Sequence, residues 1–379
     1  MKIRYFDNAA TTKIKDEVLN EMLPYLHENY GNASSLYSIG RNSKRAIEDA
    51  RKKVAELINC DSNEIYFTGC GSESDNTIIK GIAYANYKKG RHIITSKIEH
   101  PAVINTCKLL EKKGFKVTYL NVNKKGFVNL DELRQSIKND TILITIMYAN
   151  NEIGTIQPIE QIANIAKMYN IIFHTDAVQA CGNIPIDVKK TGISALSLSG
   201  HKLYAPKGVG ALYVKNGINF EKFIEGGHQE KNRRAGTENV AGIVGLGKAC
   251  ELANINLKYH MNHLKELRDY FISRLQEVNT NININGDLEK RLPGNINICL
   301  NGIEGETILL KLDENGICAS SGSACTSGNS EPSHVLKAIG LSDELSRSSL
   351  RLTFGEENKK EDIDFLINCL KNIVNEFTN

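Results

Sequence analysis

Residues 171–214 read IIFHTDAVQACGNIPIDVKKTGISALSLSGHKLYAPKGVGALYV. Three short runs in this stretch, IIFHTDA from Ile171, ALSLSG from Ala195 and GALYV from Gly210, are apolar on both faces. Strands of that composition sit between two layers of helices. Four similar runs come earlier, with helical stretches between them: IYF at Ile65, HIITS at His92, KVTYLNV at Lys116 and ILITIMYA at Ile142. Such alternation predicts an α/β domain with a mostly parallel sheet. Ahead of it, apolar residues at Ala46, Ile47, Ala50, Val54, Leu57 and Ile58 keep helical period and mark the first long helix, from Asn42 onward.

The chain has 379 residues, enough for about two or three domains. Near residue 250 the texture changes. A helix-rich stretch over 248–278 leads into the Asn-rich NTNININGD, which reads as a surface turn and strand edge. Beyond it the apolar runs NINICL, TILLKL and SSLRLTF alternate with polar connections before a final helix over 360–377. This predicts a smaller α+β domain, with the N-terminal dozen residues packed on it. Lys+Arg 47 against Asp+Glu 44 leaves a formal charge of +3 and no basic block, which opposes nucleic acid as a partner. The opening MKIRYFDNAATT lacks the apolar stretch of a signal peptide. The longest apolar run, 141–149, is about half the roughly 18–20 residues of a membrane span. Nine scattered cysteines without CxxC pairs read as reduced thiols. A soluble cytoplasmic protein is expected.

Three features fall at strand ends, where open α/β sheets place ligands. TGCGSESDN (68–76) puts two glycines and a hydroxyl at a helix start, a phosphate cradle or an ordinary capped helix. HTDAVQ (174–179) ends a hydrophobic strand in Asp176, which must face a cation or strong donors unless it only caps a helix. Lys202 follows a strand and a Gly-His pair in a stretch short of carboxylates, a position for a Schiff-base nucleophile or a solvated lysine. Phosphate cradle, carboxylate and lysine together, with Ser199 and His201 beside them, describe a pyridoxal phosphate pocket. A fourth feature, ASSGSACTSGNSEP (319–332), surrounds Cys325 with small residues in a surface loop, where a thiol is reactive once a base removes its proton. GIVGLGKA (242–249) nearly matches a P-loop, but Ala249 stands where Ser or Thr would hold magnesium, so it reads as helix packing. His260 and His263 read as solvated histidines, and no metal site is expected.

These residues, with YFDNAATT, YGNASSLYSIGR, EHPAV, ANNEIG, RRAGTENV and SSLRLTFG, run in one order over nearly the whole chain. In that order the sequence resembles class I cysteine desulfurases of the nitrogen-fixation and iron–sulfur-cluster type. The resemblance implies a pyridoxal phosphate-dependent transferase fold of type I. A large domain, 13–258, would carry a mostly parallel seven-stranded sheet. A small domain, 1–12 with 259–379, would carry the cysteine loop, and two copies would form a homodimer. It implies that Lys202 holds the cofactor, Asp176 its pyridine nitrogen, Gln179 its phenolic oxygen, and that His100 stacks on the ring and carries protons. Gly71, Ser72, Ser199 and His201 would hold the phosphate, with Thr237 from the other subunit. Asn151 and Arg351 match the positions that hold the substrate carboxylate, with Asn32 also at the substrate and Asn151 also near the cofactor. The implied reaction takes sulfur from L-cysteine, leaving L-alanine and a persulfide on Cys325. That persulfide passes to an acceptor or iron–sulfur scaffold protein, and a nascent cluster would touch Cys325 only in passing. A selenocysteine lyase or aminotransferase of the same fold is the alternative. The sequence departs from the family pattern at Cys70-Gly71-Ser72-Glu73, where Gly-Ala-Thr-Glu is usual, and at Asn32-Ala33-Ser34.

Overall fold

In a computed structural model, which describes residues 2–278, 281–321 and 332–378, twelve strands are found among the described residues. In chain order they are β1 (Arg4–Tyr5), β2 (Ile65–Thr68), β3 (His92–Ser96), β4 (Lys116–Leu120), β5 (Thr141–Thr145) and β6 (Ile172–Asp176). They continue with β7 (Ala195–Ser199), β8 (Gly210–Val214), β9 (Ile282–Asn285), β10 (Asn295–Leu300), β11 (Ile317–Cys318) and β12 (Ser349–Thr353). Seven form one sheet in the order β2-β8-β7-β6-β5-β3-β4. Pairing is parallel except on the two sides of β8, which runs antiparallel to β7 and β2.

The runs that are apolar on both faces serve two cores. Ile94, Ile144, Leu196 and Ala211 join the cluster built with helices Ser38–Ile58, Ile159–Met168 and the start of Val240–Arg274. Their neighbours Ile93, Leu143, Ala195 and Leu212 point the other way, against helices Gly71–Ala85 and Pro101–Lys112. Period-two alternation therefore places a buried residue on each face of every central strand.

A third cluster, from Leu264 to Val374 with Phe6, packs on the three-stranded antiparallel sheet β12-β10-β9. The Asn-rich stretch supplies β9 at its edge. The N-terminal residues pack here too: β1 pairs with β11, and Phe6 stacks edge-on against Phe354 at 5.7 Å. TILLKL, in sequence only an apolar run between polar connections, lies in the helix Gly305–Glu314. Ile308 and Leu312, four residues apart, are buried while Leu310 between them is exposed, so the run has helical period after all.

One helix, Val240–Arg274, runs through both parts. Its first turns pack in the first cluster and Leu264, Leu267 and Phe271 in the third, so the expected division at 258/259 falls inside a continuous helix. The P-loop-like glycines lie within it. Gly247 faces the helix Ser38–Ile58 so closely that a Cβ would stand 2.6 Å from the Ala50 Cα. Gly247→Val is expected to destabilise the protein by about 1–3 kcal/mol through overpacking, read as a lower midpoint in urea unfolding.

Candidate active site

The chemistry-bearing residues gather where β6 and β7 end. Asp176 closes β6, Ser199 closes β7, and the strands register Asp176 beside Ser197. Lys202 ends the single turn Gly200–Lys202 that follows β7. The chain must reverse there to form antiparallel β8. Gly200 lets it do so at close quarters, since a Cβ would meet Val209 Cγ1 at 2.9 Å. Two residues on, Tyr204 has φ 60°, a left-handed conformation that costs a non-glycine residue roughly 1–2 kcal/mol. It is held by the Thr12 hydroxyl, which accepts its N–H at 2.8 Å, and by its own hydroxyl, which accepts the Glu356 N–H at 3.1 Å.

The N-terminal segment lies over this turn. The Lys202 ammonium donates to the Ala9 carbonyl and, at 2.6 Å, to the Ala10 carbonyl. Gln179 donates to the Ala9 carbonyl at 3.1 Å. Thr12 bonds the His201 carbonyl through both its N–H and its hydroxyl, and Thr11 meets His201 Nδ1 at 3.2 Å. Burial, with Lys202 and Lys207 adding to it, holds the His201 imidazole down to about 4, so it is neutral at pH 7.

The helix Gly71–Ala85 points its N-terminus at the same place. Its first N–H groups have no partner inside the helix and favour an anion. Cys70 caps it, its sulfur accepting the Glu73 N–H at 3.4 Å. Gly71 leaves the cradle open, because a Cβ there would meet Val178 Cγ2 at 2.7 Å and Ser199 Cβ at 3.4 Å. The Ser199 hydroxyl is buried and without a partner. An orphaned donor beside a helix N-terminus fits a phosphate group.

Beneath the cradle three titratable groups converge, with ligand atoms of Asp75, His100 and Asp176 all within 4.8 Å of one another. Asp176 Oδ1 accepts the Val178 N–H at 2.9 Å. Burial raises the Asp176 carboxyl above its usual range, opposed by His100, the Val178 N–H and Lys202. Asp75 is raised well above the usual range by burial and by Asp176, with the Ser197 hydroxyl pulling the other way. His100 caps the helix Pro101–Lys112, its Nδ1 accepting the Ala102 N–H at 3.1 Å. Burial lowers its pKa, so the neutral ring carries its proton on Nε2. Next to it, burial pushes Glu99 up to about 8, although Ser96 and the Met147 N–H donate to it.

Arg351 lies on β12, 2% exposed. One guanidinium nitrogen bonds Asp7 at 2.8 Å, another reaches the Asn151 carbonyl at 3.5 Å, and Nε is buried without a partner. Among the sequence-expected residues, Gly71, Ser199, Asp176, His100, Gln179 and Lys202 are thus assembled, Ser72 follows Gly71 at the helix start, and His201, Arg351 and Asn151 border them. Two are not brought in. Asn32 is exposed, its side chain accepting the Ser34 N–H, and Thr237 is exposed beside Gly69 and Arg234. Cys325 lies outside the described residues.

His260 is not solvated as expected but 5% exposed, bonding Glu356 and Asn183 at 3.0 Å each. Sequence reasoning also passed over Asp75 and Asp7. Asp75 had a signal: it shares the helical stripe of Ile78, Ile79 and Ile82, where a carboxylate has no ordinary reason to be.

Glu356 accepts from both Lys15 and His260, and these hold its carboxyl down to about 2 despite burial. A depressed carboxyl contributes stability above its unfolded pKa that is lost as pH falls through the folded value. Glu356→Gln is therefore expected to lower the melting temperature by about 2–4 °C at pH 7 and by little near pH 2, in paired thermal melts.

The aminotransferase class-V family model matches residues 4–366. "Cysteine desulfurase IscS" of Clostridium botulinum is 53% identical over 98% of this chain and 94% of its own. Its namesake in Methanosarcina thermophila is 54% identical over 100% of this chain and 93% of its own. Among solved structures, a "NifS-like protein" matches with a TM-score of 0.94 at 38% identity, covering 99% of this chain and 100% of that one. "SspA in complex with cysteine" matches with a TM-score of 0.82 at 36% identity, covering 93% of this chain and 98% of that one.

Proposed function

The chain belongs to the aminotransferase class-V family, and on that premise we propose that it is a cysteine desulfurase, removing sulfur from L-cysteine with pyridoxal phosphate as cofactor. The observation that carries this reading is the convergence of Asp176, His100 and Lys202 beneath a helix N-terminus with the orphaned Ser199 hydroxyl. Relatives named cysteine desulfurase, about half identical over nearly the full chain, support it.

Gly71, Ser72, Ser199 and His201 would hold the phosphate, Asp176 the ring nitrogen, Gln179 the phenolic oxygen and Lys202 the aldehyde carbon, with His100 against the ring. The cofactor supplies an electron sink conjugated to the substrate Cα. Around it the protein's own groups bind and move protons. Arg351, with a free Nε in a planar fork, binds the substrate carboxylate beside Asn151. Lys202 Nζ, once displaced from the aldehyde carbon as a neutral amine, would take the Cα proton, and His100 would deliver protons from Nε2, which its Nδ1 contact with Ala102 keeps protonated. Cys325 thiolate attacks the substrate sulfur. An S–S bond forms, the C–S bond breaks, and its electron pair stays with the three-carbon fragment, which leaves as L-alanine after protonation. The resulting persulfide passes to an acceptor or iron–sulfur scaffold protein.

This reading includes the division into 13–258 and 1–12 with 259–379, supported by the separate hydrophobic clusters. It includes a homodimer, in which the exposed Thr237 and Asn32 would serve a site with two chains around it. It also includes a reducing cytoplasmic setting, supported by eight described cysteines that are all free.

Lys202→Ala should lose both cofactor absorbance and turnover, by about 10²-fold or more. Cys325→Ala should keep the absorbance and lose alanine and sulfide formation; undiminished sulfide from it would sink the persulfide step. Arg351→Ala should raise KM for cysteine about 10- to 100-fold, the scale of a lost charged hydrogen bond, in steady-state kinetics.

A further inference from the structure

Asp75 has no part in the reading above, yet it is among the most buried charged residues of the chain. It lies on the helix Gly71–Ala85, its side chain 2% exposed, with Oδ1 lacking a hydrogen-bond partner and standing 3.7 Å from His174 Nε2. Titratable and polar groups face it from every side. Asp176 and His174 come from β6, Ser197 from β7, and Glu99 and His100 from the segment ahead of Pro101–Lys112.

Two carboxylates this close and this dry do not both ionise, because each charge opposes the other and neither has water. Their surroundings are unequal. Asp176 takes the Val178 N–H at 2.9 Å and feels His100 and Lys202, all of which favour its charged form. Asp75 has the Ser197 hydroxyl, which it shares with His174 Nε2, and one bare oxygen. His174 cannot offset a charge on Asp75, because burial holds its imidazole far below the ordinary range and neutral. A bound metal ion is a poor alternative occupant of the cluster. His100 Nδ1 is already taken by the Ala102 N–H, which leaves the neutral ring a donor at Nε2 rather than a ligand.

We propose that Asp75 is a positioning residue that shares one proton with Asp176 and keeps it on its own carboxyl, so that Asp176 stays ionised toward the ring nitrogen of the cofactor. The pair then carries one negative charge before and after the cofactor arrives. A protonated ring nitrogen neutralises that charge, and no proton leaves the pair. This inference rests on the pocket's being a pyridoxal phosphate site, but the shared proton belongs to the protein alone and is testable without cofactor.

The experiment compares the wild type with Asp75→Asn, which mimics a permanently protonated acid, and Asp75→Ala. In the first arm, urea unfolding of the cofactor-free proteins is followed from about pH 5 to about pH 9. The folded wild-type pair holds a proton that the unfolded chain has released, so its stability falls as pH rises until the pair lets go. Its folding constant should fall relative to that of Asp75→Asn by up to about tenfold per pH unit. Parallel profiles for the two proteins overturn the proposal.

In the second arm, pyridoxal phosphate is titrated into each protein and the dissociation constant is read from absorbance. Asp75→Asn should bind within roughly threefold of the wild type, and Asp75→Ala about tenfold or more weakly. If the asparagine variant is as weak as the alanine variant, the charge of Asp75 is what matters and the proposal fails. If the alanine variant binds like the wild type, Asp75 positions nothing. If Asp75→Ala does not fold, Asp75→Asn alone still decides both arms. A wild type that takes up no pyridoxal phosphate sinks the reading of the pocket, while the first arm still decides the shared proton.

Discussion

The contact on which the rest of the site depends is the ammonium of Lys202 against the carbonyls of Ala9 and Ala10. A strand-end lysine without such acceptors would extend into solvent, where its position is undefined. Here a nearby backbone segment captures it, and that segment is itself held at several points. Asp7 binds Arg351, Ala9 bonds the Thr353 hydroxyl, and Thr12 bonds the His201 carbonyl. The residues expected to hold cofactor and those expected to hold substrate are therefore joined through six consecutive residues, 7–12. Moving Arg351 moves Asp7, and with it the carbonyls that hold Lys202.

The second constraint is electrostatic. Asp75, Glu99 and Asp176 are all buried, and burial raises each of them. A protein tolerates such a cluster only if some members are protonated or strongly hydrogen-bonded. Glu99 has the Ser96 hydroxyl and the Met147 N–H, and Asp176 has the Val178 N–H. The Glu99 carbonyl also accepts from His334 at 2.9 Å, which ties this region to the helix His334–Ala338. Ser333, which caps that helix, donates to Glu152, so a buried carboxylate is satisfied from the same segment.

The strands of the large sheet were legible because several of them are apolar on both faces, a pattern few other elements share. Asp176, Ser199 and Lys202 were legible for a related reason, as polar residues where those runs stop. TILLKL was not, because a short apolar run fits strand or helix until its exposed member, Leu310, is known. His260 looked solvated because its partners, Glu356 and Asn183, are 96 and 77 residues away in sequence. The acceptors of Lys202 were hidden in the same way, 192 and 193 residues before it. Asp75 could have been found, since a charge on the Ile78–Ile79–Ile82 stripe departs from the helical pattern. The expectation for Cys325 rests on sequence alone.

The N-terminal segment has a consequence for how the protein is made. Asp7 and Ala9 are made 344 residues ahead of their partners Arg351 and Thr353. At roughly 5–20 residues per second, those partners emerge about 17–70 s later. The large sheet and Lys202 are complete well before then. Until then, the contacts of Thr12 with His201 and Tyr204 are the ones that can seat the segment beside Lys202. The ties from Asp7 to Arg351 and from Ala9 to Thr353 come last, so the backbone that holds Lys202 is anchored from its second side late in synthesis.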